Sequence, residues 1–106
     1  MAVAKVVFFA ISKVPGQVNA LPIPIGAGET AEDITIAAAN TSGTGTTGSA
    51  VAGANQRGVS ILAEAACRIK IGAVPEVTET TGWPMAEGER LWWTCEPGDK
   101  VSVVAV

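Results

Sequence analysis

Residues 67–106, CRIKIGAVPEVTETTGWPMAEGERLWWTCEPGDKVSVVAV, decide how the chain folds. Two alternating stretches, Ala66–Ile71 and Arg90–Cys95, flank a long connection. A third apolar run, Val101–Val106, follows the turn signal Glu96-Pro97-Gly98-Asp99. Side chains alternate across a strand. Antiparallel pairing of the first two stretches therefore predicts Cys67 opposite Cys95, Ile69 opposite Trp93 and Ile71 opposite Leu91, all on one face. Arg68, Lys70, Trp92 and Thr94 then share the other face. One register satisfies both cysteines and the apolar pattern.

The same logic works upstream. Gly58–Ala65 alternates, with Val59, Ile61 and Ala63 on one side and Ser60, Leu62 and Glu64 on the other. Val3–Ser12 is rich in Val, Phe and Ile, and the run Val6-Val7-Phe8-Phe9 suits a strand covered on both faces. Leu21-Pro22-Ile23-Pro24-Ile25 is extended, but proline removes ladder donors and keeps it out of a sheet centre. Asp33–Ala38 is predicted as a strand, and Asn40–Ser49 as a loop or wide turn. Ala50–Arg57 is open between a loop and a short helix that Gly53 weakens. Five or six short strands with frequent turn residues predict an all-β chain. The expected fold is a small antiparallel β-sandwich or jelly-roll-like barrel with an extended N-terminal segment. Residues 1–28 form an N-terminal strand or extended arm, and residues 29–106 a single β-sandwich domain.

Hydrophobic residues make up 48% of the 106-residue chain and charged residues 16%, against about 25% charged in ordinary soluble domains. So little charge suits a surface covered by copies or partners. The net charge is −3 and the basic residues are scattered, which argues against nucleic-acid binding by phosphate neutralisation. The chain has no histidine and no tyrosine, which removes imidazole proton transfer and imidazole metal ligation. No apolar run approaches the ~20 residues of a membrane helix. Val6–Ile11 also falls short of the ~7–15-residue apolar region of a secretory signal. No cofactor, nucleic-acid or membrane partner is expected.

Gly43-Thr44-Gly45-Thr46-Thr47-Gly48 spells G-x-G-x-x-G, but a dinucleotide fold needs a full helix after it. Ser49–Arg57 offers too little, with Gly53 in the middle, so a loop is expected. Glu76, Glu79, Glu87, Glu89 and Glu96 lie in polar turns, without the fixed separation that paired-acid hydrolysis needs. There is no D-x-D-x-D-G calcium loop. No catalytic, cofactor-binding or metal-binding residue is predicted, and the chain is expected not to be an enzyme. Cys67 and Cys95 leave three readings open: an intrachain disulfide, two buried free thiols, or links between subunits. Trp93 shares the face of Ile69 and is predicted to pack in the core. Trp92, on the face of Arg68 and Lys70, is placed to stack on a cation. Trp83, beside Pro84 in a loop, is either an interface anchor or a cap on the sandwich.

The pieces Ile69–Gly72, Pro75–Thr78, Pro84–Gly88, Leu91–Trp93 and Pro97–Val104 resemble the C-terminal half of small structural proteins of tailed-bacteriophage virions. There an Ile-x-Ile-Gly or Val-x-Phe-Gly strand end leads to a Pro-x-x-Thr loop and a Pro-Ala-Gly type turn. An aromatic strand and a final Pro-Gly-x-Lys-Val-x-Val strand follow. The likeness lies within about residues 59–106, and its motifs describe strands and turns. It implies a capsid decoration, or cement, protein. Such a protein is a small sandwich or jelly roll that sits as dimers or trimers on the capsid exterior and ties neighbouring subunits together. The implied partners are the major capsid protein and copies of the chain itself, with assembly in the host cytoplasm. On that reading Phe8, Phe9, Leu21, Ile23, Ile25, Trp83 and Trp92 are the candidate interface residues. The alternative is a carbohydrate- or receptor-binding β module of a phage tail or fibre, with Trp83 and Trp92 stacking on sugars.

Overall fold

The computed structural model describes residues 2–13 and 22–106. Its strands are β1 (Val3–Lys13), β2 (Pro22–Thr35), β3 (Thr46–Thr47), β4 (Gly58–Ala63), β5 (Cys67–Gly72), β6 (Trp83–Met85), β7 (Arg90–Thr94) and β8 (Lys100–Ala105). They form two antiparallel four-stranded sheets, ordered β2-β1-β4-β7 and β3-β8-β5-β6. No helix occurs among the described residues. Most of the protein is thus two sheets that bury their apolar faces against each other.

Alternation selects those faces. In the first sheet, Phe8, Val59 and Trp93 form one cross-strand row and Val6, Ile61 and Leu91 the next. In the second, Ile69 lies opposite Val103 and Ile71 opposite Val101. Phe8, Val59, Ile61 and Val103 are fully buried, and Val6 and Ile69 nearly so. Each such side chain contributes about 1.5–3 kcal/mol of transfer free energy.

The pairing expected for Cys67 and Cys95 does not form. β5 pairs with β8, where Cys67 lies opposite Ala105, and with β6, where it lies opposite Met85. β7 belongs to the other sheet, with Trp93 opposite Val59 and Leu91 opposite Ile61. The chosen apolar residues do point into the core, but from opposite sheets. The long β5–β6 connection is the physical reason. Residues 73–82 fold over the outer face of the second sheet, so the chain re-enters beside β5 as β6 before crossing over. Val77 is fully buried there. Its N–H donates to Ser102 Oγ (3.4 Å), and its C=O accepts from Gly45 N–H (2.8 Å). This flap covers Ser102, which lies on the outward side of β8 and is completely buried.

Two strands escaped the sequence pattern for a simple reason. β3 is two residues long, and β6 is Trp-Pro-Met on a sheet edge, where a missing proline N–H is tolerated. The segment Asn40–Ser49 is loop plus β3, so its G-x-G-x-x-G string opens no helix. Asn40 organises it by accepting the N–H groups of Ser42 (2.9 Å) and Thr44 (3.1 Å) on its side-chain oxygen. The turn before β8 forms where expected. Asp99 N–H donates to Glu96 C=O (3.1 Å), Pro97 takes the second position, and Gly98 takes φ +90°. That is the glycine requirement of a type II turn.

β1 is an internal strand, and the division expected at residue 28 falls inside β2. Beyond Phe9, however, β4 ends, because Phe9 is paired with its first residue, Gly58. Among the described residues, Ala10–Lys13 and Pro22–Ile25 are then paired only with each other, as a two-stranded ribbon leaving the sandwich. Between Phe8 and Ala10 the β1–β2 register slips, with Phe8 opposite Thr30 and Ala10 opposite Ile25. Residues 26–29 of β2 therefore bulge opposite Phe9. Pro22 and Pro24 sit on an edge strand, as proline requires.

Candidate functional site

The two long margins of the sandwich differ. One, between β2 and β3, is tied shut. Glu32 Oε2 accepts the Ser49 hydroxyl (2.6 Å) and the N–H groups of Ser49 (3.1 Å) and Ala50 (2.9 Å). Two residues earlier on β2, Thr30 and Gln56 exchange side-chain hydrogen bonds at 3.0–3.4 Å. The other margin has β7 as the edge of one sheet and β6 as the edge of the other. These strands are joined at one end by the turn Ala86–Glu89, where Glu89 N–H donates to Ala86 C=O (3.1 Å). At the opposite end they bound an open cleft of about 360 Å³ lined by Ile69, Ile71, Trp83, Trp93, Lys70, Gly82, Thr94 and Asp99.

The residues singled out from sequence are dispersed. Phe8 is wholly buried between the sheets and serves the core, not a contact surface of the folded chain. Phe9 lies on the outer face of the first sheet, its ring edge-on to Trp92 with centroids 5.6 Å apart. A Cβ at Gly58 would collide with that ring, so Gly58 is the floor on which Phe9 rests. Trp92 is 57% exposed. Its expected neighbours Arg68 and Lys70 belong to the other sheet, so it meets Phe9 instead of a cation. Trp83 is also 57% exposed, at the β6 edge, with its backbone opposite Ile69. Trp83 and Trp92 therefore stand on different surfaces. Trp93, expected in the core, is partly buried and shares the open cleft with Trp83. Ile23 and Ile25 lie in the ribbon, opposite Ser12 and Ala10. Leu21 lies outside the described residues.

The cysteines are separate buried thiols. Burial pushes both thiols above their ordinary pKa. For Cys95 the nearby carboxylates of Asp99 and Glu96 add to that rise and Arg57 opposes it. Cys95 Sγ donates to Gln56 C=O at 3.6 Å. A buried thiol with a raised pKa is a poor nucleophile. Among the described residues no group of three Cys, Asp or Glu is close enough to hold a metal ion.

The protein is thus an all-β chain of two packed antiparallel sheets, with one closed margin, one open margin and a projecting ribbon. Comparison with protein-family models, curated proteins and solved structures finds no match.

Proposed function

We propose that the chain is a structural protein of a bacteriophage virion, a capsid decoration protein that binds the assembled shell and bridges neighbouring subunits. The observation that carries this reading is the β1–β2 ribbon. A two-stranded ribbon alone is marginally stable in water, and a third strand or a packed face is needed to hold it. The ribbon also offers a defined edge. Ala2 C=O accepts from Ile36 beside β2, and Val3 C=O accepts from Glu64 beside β4. Odd-numbered residues of β1 therefore turn their backbone groups toward β4. Past Phe9 the next odd residue is Ile11, and no strand among the described residues lies on that side. A neighbouring subunit's strand can add there through main-chain hydrogen bonds.

Strand order supports the finer reading of the fold as a jelly roll. Counted from β2 round to β8 and then β1, the first strand pairs with the last, the last with the third, and the third with the sixth. In the other sheet the second pairs with the seventh, the seventh with the fourth, and the fourth with the fifth. That is the order of the eight-stranded double Greek key found in viral capsid domains. Low surface charge supports the same reading, and contacts repeated round a symmetric shell add by avidity.

The test is a ribbon excision. Ala10 and Ile25 are cross-strand partners, so an Asn-Gly turn can join them in place of residues 11–24. The excised protein is expected to remain folded and to lose binding to assembled shells. Undiminished binding would overturn the role given to the ribbon.

A further inference from the structure

The outer strands of the sandwich are β2, β7, β3 and β6, and an outer strand recruits another chain unless something blocks its free edge. Three of the four are blocked. On β3, the flap's Val77 C=O accepts the Gly45 N–H and Thr78 bridges Thr44. On β6 the block is Pro84. Val101 C=O accepts from Gly48 and Ala105 N–H donates to Ala37, so odd-numbered residues of β8 face away from β5 and even-numbered ones face it. Ser102 and Val104 lie opposite Lys70 and Arg68, which leaves Cys67 and Ile69 turned toward β6. Pro84, opposite Arg68, therefore faces the free edge and offers it no N–H. On β2, Ile23 and Ile25 face β1, so Pro22 and Pro24 face outward, next to the bulge at residues 26–29.

β7 has no such block. Ala63 N–H donates to Glu89 C=O and Cys95 N–H donates to Arg57 C=O, so the odd-numbered residues of β7 face β4. Arg90, Trp92 and Thr94 turn their N–H and C=O groups to the free edge, and none of them is proline. We infer that β7 is a homodimer edge, which pairs antiparallel with β7 of a second copy about a two-fold axis at Trp92. Such an interface must be self-complementary, and this strand is. Trp92 is the midpoint of Arg90–Thr94, so the axis sets Trp92 opposite the partner's Trp92 and Arg90 opposite the partner's Thr94. All three outward residues then fall at positions that exchange two main-chain hydrogen bonds each. The side chains agree with that register. Arg90 meets no like charge and lies diagonal to the partner's Glu96, within reach of a long side chain. Trp92, 57% exposed on the outer sheet face, gains an aromatic cross-strand neighbour.

Sedimentation of the intact chain over a range of concentrations should show a mass rising from 10.7 kDa toward twice that value. Thr94 is exposed, so substitutions there should keep a folded circular dichroism spectrum. Thr94→Lys sets a cation against the partner's Arg90 at two symmetric contacts and should weaken the dimer by about ten-fold. Thr94→Glu sets an anion there and should hold or strengthen it. The net charge of −3 would produce the reverse order through general repulsion, so the order reads the local contact. Trp92→Ala should also weaken the dimer by about ten-fold. The protein lacking residues 11–24 should still dimerise, because the ribbon takes no part; this separates the dimer from shell binding. The inference is overturned by a single-chain mass at every concentration, by Thr94→Glu weakening association as much as Thr94→Lys, or by Trp92→Ala associating like the parent. Loss of the dimer on removing residues 11–24 would overturn it too, by placing the contact on the ribbon.

Discussion

The Glu32 carboxylate on β2 accepts the Ser49 hydroxyl at 2.6 Å and thereby joins the edge of one sheet to the loop that follows the edge of the other. Two backbone N–H groups share the same oxygen. Glu32→Ala leaves these donors to water or unpaired, and a lost hydrogen-bond group of this kind costs about 1–3 kcal/mol. Urea unfolding is expected to show that loss, with Glu32→Gln recovering part of it. An unchanged midpoint for Glu32→Ala would mean that the margin is held by packing alone.

Phe9 and Gly58 make a second local prediction. Gly58→Val places a side chain where the Phe9 ring lies, and overpacking of this kind costs about 1–3 kcal/mol. Adding Phe9→Ala removes the obstruction, so the double variant should lose less than the sum of the two single losses. A double-mutant cycle in denaturant measures that coupling. Strict additivity would contradict the contact.

The thiols predict a dependence on pH. Burial raises both folded-state pKa values above the ordinary thiol value near 9. Below that value both the folded and unfolded thiols are protonated, and their contribution to stability is fully present. As pH rises above it, unfolded thiols ionise first, the native state binds more protons, and stability falls. The fall is complete once pH passes the raised native values. The Cys67→Ala/Cys95→Ala protein should lack this part of the alkaline decline. Mass spectrometry of the unreduced protein should show two alkylatable thiols once it is unfolded, and slow labelling of both while it is native.

Deletion and excision at the N-terminus should separate sharply. Removing residues 1–28 takes away Ala4, Val6 and Phe8, all within the buried core. Loss of a buried Phe side chain alone costs about 3–5 kcal/mol, so this deletion is expected to abolish cooperative unfolding by circular dichroism. Replacing residues 11–24 with a turn should keep it.

Period-two alternation in Val59, Ile61, Ala63, Ile69, Leu91 and Trp93 was enough to tell which side chains face inward. It could not tell which strand lies beside which, because any alternating strand satisfies the same rule. The Cys67–Cys95 register therefore had the right face and the wrong partner. β3 and β6 were invisible because Thr46–Thr47 and Trp83–Met85 are too short to show a period. β2 was broken up by prolines and by the Gly26-Ala27-Gly28 bulge, although both suit an edge strand. The cleft was out of reach for a related reason. Trp83 and Trp93 meet only when two separate sheets are stacked, and no local spacing records that.

Sedimentation tests the central claim most directly. On the proposed virion role, protein mixed with assembled bacteriophage shells that it decorates is expected to pellet with them, saturating at a fixed ratio to capsid subunits. The protein lacking residues 11–24 should stay in the supernatant. If the intact protein also stays in the supernatant at every concentration, the virion role proposed here is contradicted.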